Sequence, residues 1–379
     1  MLAFLIFFTS GIGEAVNYLR HNVFTKQLVS NGIIFFAALI IVLIAFIFIY
    51  LFRKTKLAER KVFLQTSFNA FIGEIAICES ESELVEVFSN PDYQKILLQF
   101  KQRKSDRNLL ICELAETSKK FRGSTMKNIL WLFDKMDLEK QLIKNLSNKK
   151  WHKKAKAIQQ LSYLQQKNSI QKIFSFTNHQ NDLLRMEAQI AIVKMTGFEG
   201  LTFLNNVTYP VSEWQQLRLI EELSSHTATE LGNISEWLKS ENLTVVNFAL
   251  RLVEIYRQYD FYDKVAGCLS HQSMLICKSA VETISQISKE STADLLIAHY
   301  RGYDTFTQIK ILKFLQVEGT ENQLPFLLSF LNHRDDSYKL EAVKAIVNVS
   351  KTGVEKIEKI VDKSLFPWNI ILPQIKNVV

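Results

Sequence analysis

Residues 178–192 read NHQNDLLRMEAQIAI and residues 332–346 read NHRDDSYKLEAVKAI. Aligned on Ala188 and Ala342, the two stretches open a register that continues through the chain at steps near 31 residues: Ala157, Ala188, Leu219, Ala249, Ala280, Lys310 and Ala342. Four positions further on stand Leu161, Ile192, Leu223, Val253, Ile284, Phe314 and Ile346, apolar in every case. A fixed period of this length marks a repeat architecture. The residue after the anchor is also apolar, with Gln189 the exception.

Within each unit the apolar residues fall at i, i+1, i+4 and often i+8, one stripe of an α-helix. A second apolar run follows a short turn, as in QKIFSF, ISEWL, ADLLIAHY and LPFLLSFL. Two short amphipathic helices cannot enclose a core alone, so each pair must bury its apolar side against the next pair. With only 12 Gly and 5 Pro in 379 residues, turn signals are too sparse for a β-sandwich or barrel. The expected fold is all-α, an α-solenoid of about seven repeats.

A separate segment, Ile33 to Phe52, reads IIFFAALIIVLIAFIFIYLF and carries no charge. At about 1.5 Å per residue it spans roughly the 30 Å hydrocarbon core of a bilayer. Arg53, Lys54, Lys56, Arg60 and Lys61 follow it against the single acid Glu59, whereas Arg20 and Lys26 are the only cations before it. The positive-inside bias predicts a single pass of the cytoplasmic membrane, with the N-terminus outside and the long C-terminal part in the cytoplasm. The apolar MLAFLIFF at residues 1–8 is too short to span and lacks a basic n-region; an interfacial or re-entrant segment and a short arm beside the anchor both fit it.

The divisions expected from these patterns are an extracytoplasmic arm at 1–32, a transmembrane helix at 33–52, a basic juxtamembrane helical neck at 53–119, the repeat array at 120–361 and a C-terminal cap at 362–379. The cap, with Pro367 and Pro373, is expected to lay Phe366, Trp368, Ile370 and Ile371 over the last open face of the array.

Leu184-Arg185-x-x-Ala188-x-x-Ala191-Ile192 resembles the V-R-x-x-A-x-x-A-L core of HEAT-like repeats. Tyr338-Lys339-x-x-Ala342-x-x-Ala345-Ile346 and Ile276-Cys277-x-x-Ala280-x-x-Thr283-Ile284 are weaker copies, and Phe121-Arg122-x-x-Thr125-x-x-Asn128-Ile129 is a degenerate one. As a whole the chain is similar to membrane-anchored HEAT repeat proteins of bacteria such as Bacteroidota. That resemblance implies a scaffold whose protein partner is a polysaccharide-synthesising membrane glycosyltransferase.

The net charge of +8 is uneven: residues 53–156 hold 22 Lys and Arg against 13 Asp and Glu, and residues 157–379 hold 22 against 24. Local concentrations occur at KQRKSDR (101–107) and around Lys149, Lys150, Lys153 and Lys154. Facing an anionic leaflet, each cation near the surface adds about 1 kcal/mol. The alternative reading is a nucleic-acid binder held at the membrane, which would need its positive charge to run along the whole array. Trp214, Trp237, Tyr256 and Tyr262 are the aromatic candidates for a partner surface, since aromatic side chains dominate binding hot spots.

His179, His271 and His333 each fall at the turn between units. Successive units are displaced by on the order of 10 Å, so these side chains cannot share a zinc ion, whose bonds are about 2 Å; capping carbonyls at a helix end is the expected role. Four cysteines show no C-x-x-C pair and read as reduced and buried. No nucleophile motif, phosphate loop or carboxylate pair appears. Neither an enzyme, a cofactor nor a small-molecule substrate is expected.

Overall fold

The computed structural model describes the backbone of residues 26–226 and 232–376 and the side chains of most of them; the apolar residues 1–8 lie outside the described part. Helices connected by short turns make up the described chain, and no strand occurs in it. Two compact units divide after Leu138.

The N-terminal unit is built on α1, Lys26–Ile77, an unbroken helix of 52 residues. Its first half contains Ile33–Phe52, every side chain of which is exposed. This is the one described helix long and apolar enough to cross a membrane. In the second half Leu64, Phe68, Phe71, Ile72 and Ile75 turn inward, the i, i+3, i+4 pattern of a helix with one buried face. Against them pack α2 (Glu81–Ser89), α3 (Pro91–Gln102), α4 (Lys104–Lys120) and α5 (Gly123–Lys135). Phe68 lies 5.9 Å from Phe71 and 5.3 Å from Phe100, ring centre to ring centre. Asn128 of α5 is buried and donates from Nδ2 to the carbonyls of Ile75 (3.1 Å) and Cys78 (2.8 Å). It thereby adds a donor to two carbonyls at the end of α1, where intrahelical N–H partners run out.

The C-terminal unit is a helical-repeat solenoid. After α6 (Glu139–Leu146), seven long helices recur: α7 (Trp151–Tyr163), α9 (Asp182–Thr196), α10 (Glu213–Leu223), α12 (Leu243–Ile255), α14 (Met274–Gln286), α16 (Thr305–Glu318) and α18 (Asp336–Val349). Shorter turns of helix alternate with them: α8 (Ile170–Phe174), a 3-10 segment at Gly197–Asn205, α11 (Ile234–Trp237), α13 (Tyr262–Gly267), α15 (Thr292–His299), α17 (Leu324–Leu328) and α19 (Gly353–Ile360), before the final α20 (Trp368–Lys376). One continuous core runs from Ile190 to Leu372, as stacking of incomplete units requires.

The residues that start the long helices set the register. Asn181, Ser212, Asn242, Asp304 and Asp335 each accept a bond from a backbone N–H of the first turn through the side-chain oxygen, the preferred chemistry for a helix start. Counting seven residues on from Lys150, Asn181, Ser212, Asn242, Ser273, Asp304 and Asp335 reaches Ala157, Ala188, Leu219, Ala249, Ala280, Ile311 and Ala342. The structure therefore corrects the sixth anchor from Lys310 to Ile311, and its apolar partner from Phe314 to Leu315. Ile311 and Leu315 are fully buried. Lys310 instead lies on the flank, ion-paired to Glu282 of the preceding long helix and 4.8 Å from the Phe306 ring.

Gln189, the polar exception beside an anchor, is buried with its amide satisfied: Nε2 donates to the Thr177 carbonyl at 2.7 Å, and Oε1 accepts from Gln215 of the next unit. A buried amide with its partners in place costs little and fixes the stacking of one unit on the next. Gly197 ends α9 at φ +64, a left-handed conformation that glycine adopts without a Cβ penalty.

The three turn histidines do the reverse of what the sequence suggests. In each, ring Nδ1 accepts the backbone N–H of the residue two positions on: Asn181 (3.0 Å), Ser273 (3.0 Å) and Asp335 (3.1 Å). They quiet a donor at the start of the next helix rather than carbonyls at the end of the last, and only an unprotonated Nδ1 can do so. At His179, burial and the nearby Lys154 and Arg185 cations hold the imidazole pKa below its ordinary value. The folded state therefore favours the neutral ring. Its contribution is full above the ordinary imidazole pKa and is lost as pH falls from there through the lowered folded-state value. Denaturation midpoints at pH 7.5 and 5.5 should show a larger acid loss for the native chain than for His179→Asn, whose amide oxygen accepts the same bond without titrating.

At the C-terminus Trp368, Ile371 and Leu372 are buried, whereas Phe366 and Ile370 are exposed. That corrects two of the four residues expected to cover the last unit. α20 buries the face carrying i, i+3 and i+4 from Trp368, and Ile370 points away from it.

Candidate protein-interaction surface

With the exceptions of Lys153, which is exposed, and Lys154, Ile220, Gln308 and Lys339, which are half-buried, the long helices bury the residues three, four, seven, eight and eleven positions after their starting residues, so the residue at position two stands opposite the core. Packing makes no demand for an apolar side chain there. Yet Leu183, Trp214, Leu275 and Phe306 occupy it in four of the seven long helices, and all are exposed, Trp214 at 61% and Phe306 at 62%. Trp151, Leu243 and Met274, one position earlier, are exposed as well. Leu217 extends the row by one helical turn. At the seventh helix the equivalent position is Ser337, and the row stops.

Further along the same outward side the charges are of both signs: Glu221, Arg251, Glu282, Lys313 and Lys344 hold equivalent positions. A groove of about 660 Å³ crosses α12, α14 and α16 there, lined by Glu254, Glu282, Lys310, Lys313, Phe314 and Val317 among others. Glu254 is held above its usual carboxylate range by burial and by the Glu282 charge.

The residues proposed from sequence separate into distinct groups. Trp214 lies in the exposed row. Trp237 is 3% exposed and donates from Nε1 to Asn205 Oδ1 at 2.6 Å, and Tyr262 is 4% exposed and bonds Thr292 at 2.8 Å. Both are core residues of short helices and are unavailable to a partner. Tyr256 is half-buried, edge-on to Phe198 at 5.0 Å. Lys149, Lys150 and Lys153 are exposed, while Lys154 is half-buried with Nζ 5.1 Å from the Phe176 ring centre. Beside the apolar run, Arg53, Lys54, Lys56 and Lys61 are exposed, but Arg60 turns into the bundle and bonds Asp106 at 2.8 Å. Leu183, Leu217, Leu275 and Phe306 were missed. For Leu183, Leu275 and Phe306 the signal was an apolar residue two positions after an Asn, Ser or Asp helix start, and for Leu217 one five positions after Ser212, all outside the stripe that packing explains.

Among the described residues no group of three His, Cys, Asp or Glu side chains is arranged to hold a metal ion.

No protein-family model matches the chain, and no curated protein is similar to it. Solved structures with some similarity include Kap121p (TM-score 0.46, 13% identity, covering 82% of this chain and 39% of that one). An engineered protein gives a TM-score of 0.37 at 14% identity over 73% of this chain and 85% of its own. The complex of CpcE and CpcF of phycocyanin lyase from Nostoc sp. PCC7120 gives 0.24 at 13% identity over 75% and 94%. The fold assignment rests on the repeat geometry of the chain itself.

Proposed function

We propose that the protein is a non-catalytic, membrane-tethered cytoplasmic scaffold that binds a protein partner along the outward side of its long helices. The observation that carries this reading is the exposed row Leu183, Trp214, Leu275 and Phe306. Large apolar side chains repeated where the fold does not need them are what a binding surface requires. Mixed charge beside the row favours a protein over a nucleic-acid backbone, which would select one sign throughout. The tether is Ile33–Phe52, a fully exposed apolar run that water would not tolerate. The following cations favour a cytoplasmic C-terminus and contact with anionic lipid headgroups. Confinement to the membrane plane raises the effective concentration of a membrane partner. From the resemblance to membrane-anchored HEAT repeat proteins, the cytoplasmic part of a polysaccharide-synthesising glycosyltransferase is the first partner to test.

Crosslinking in cells, followed by purification of the full chain, should capture such a membrane enzyme. Trp214→Ala with Phe306→Ala should reduce that capture at least about tenfold, the scale expected when two central anchors are removed. Unchanged capture by the double variant overturns the assignment of this surface. Duplex binding that falls steeply with salt supports the nucleic-acid reading instead.

A further inference from the structure

A short way beyond the apolar run, α1 and α4 enclose a groove of about 290 Å³. Leu57, Lys61 and Leu64 line it from α1, and Leu109 and Cys112 from α4. Two polar contacts tie the walls together: Arg60 bonds Asp106 at 2.8 Å, and Gln65 Nε2 donates to Glu113 Oε1 at 2.8 Å. Their order shows that the two helices run in one direction here, with Leu57 at the end nearest the apolar run and Cys112 at the far end. Asp106, the one carboxylate on the walls, is neutralised by Arg60, and Lys61 makes no ion pair among the described residues. Arg53 and Lys54, both exposed, stand below the groove. With Leu57, Arg60, Lys61 and Leu64 they fall within about 120° of arc at 3.6 residues per turn, whereas the acid Glu59 lies on the opposite side of α1.

We propose that this groove holds one acyl chain of an anionic phospholipid drawn from the adjoining leaflet, with the lipid phosphate at its lower lip among Arg53, Lys54 and Lys61. The inference rests on the reading of Ile33–Phe52 as a membrane span. Leu57 is five residues past Phe52 on an unbroken helix, about 8 Å at 1.5 Å per residue. The headgroup layer is about 5–7 Å deep, so the groove opens where the headgroups end. An acyl chain that bends up along α1 stays out of water between Leu57, Leu64 and Leu109, and it covers Leu57, which is otherwise 65% exposed. Helix side chains lean toward the N-terminal end, here the membrane, so Lys61 reaches down over Leu57 toward the phosphate. The volume is at the small end of the about 300–1,000 Å³ of ligand sites. It suits a single chain and excludes a peptide helix about 10–12 Å across. Positive charge at the lip with no free carboxylate selects an anionic headgroup over a zwitterionic one.

Cys112 reports occupancy, being half-buried at the far end of the groove while Cys78, Cys268 and Cys277 are buried. The full chain is placed in bilayer discs of phosphatidylcholine alone or mixed with phosphatidylglycerol, and modification of Cys112 by the uncharged N-ethylmaleimide is followed by mass spectrometry. Phosphatidylglycerol should slow the modification at least about fivefold, and Lys61→Gln should remove about that factor, the share of one lysine at an anionic surface. Val62→Cys, exposed at the same height outside the groove, should react at one rate in both bilayers, which separates a seated chain from the general effect of surface charge. Cys112 modified equally fast in the two bilayers, protection that survives Lys61→Gln, or equal slowing at position 62 overturns the lipid site alone. A chain recovered from cells in the soluble fraction overturns the membrane reading and the lipid site with it.

Discussion

Ile311→Lys unfolds the C-terminal part of the array, and Lys310→Ala leaves it folded: this is the expected result if the helix starts, rather than the apolar run, define the sixth unit. Ile311 is fully buried in α16, seven residues after the starting Asp304, and belongs to the core that joins this unit to its neighbours. Truncation to Ala removes its packing and leaves a cavity, costing about 2–5 kcal/mol. Replacement by Lys adds an unpaired charge in the same place and exceeds about 4 kcal/mol. Lys310 is half-exposed and paired with a half-exposed Glu282, a type of ion pair worth below about 1 kcal/mol. Urea unfolding of the three variants, followed by circular dichroism, ranks them. A larger loss for Lys310→Ala than for Ile311→Ala would restore Lys310 to the anchor position and remove the present register.

The reason the sequence permits this slip is specific to α16. Read from Lys310, the next residue and the one four positions on are Ile311 and Phe314; read from Ile311 they are Leu312 and Leu315, so both registers satisfy the apolar pattern. The Asn, Ser and Asp starts break the tie, because a side-chain oxygen at the first turn has a single place in a helix. The same count separates the aromatic residues. Trp214 is two positions after Ser212 and faces out, whereas Trp237 and Tyr262 sit on short helices turned toward the long ones. Composition alone treats the three alike. The repeat, the layer of long helices and the apolar run were legible because each has a period or a length that few other structures share. The exposed row was not, since a single apolar residue outside a stripe is unremarkable; only the superposition of seven helix starts makes it a column. The turn histidines were misread for a related reason. Their place between units is visible in sequence, but whether the ring meets a donor or an acceptor depends on which way the turn closes.

The second large effect concerns the N-terminal unit. Phe68→Ala should destabilise it by about 3–5 kcal/mol, the cost of removing a fully buried aromatic ring. Phe68 touches the heart of this unit, edge-on to Phe100 and tilted against Phe71, which in turn lies 4.7 Å from Tyr93. The residue belongs to the same helix as Ile33–Phe52, so its packing ties the apolar run to a folded bundle. Once that packing is lost, α1 beyond Phe52 is an isolated helix with an apolar stripe in water, and α2 to α5 have no centre to close on. Because the chain divides after Leu138, the damage should stop there. Limited proteolysis of the variant should cut within residues 78–138 at a denaturant concentration that leaves the repeats intact, with the Glu139–Val379 fragment persisting. Simultaneous loss of both units would show that the repeats need the bundle to fold. If the proposed binding surface lies wholly in the repeats, loss of the bundle leaves it intact, and capture by the Phe68→Ala chain from solubilised cells should match that of the parent.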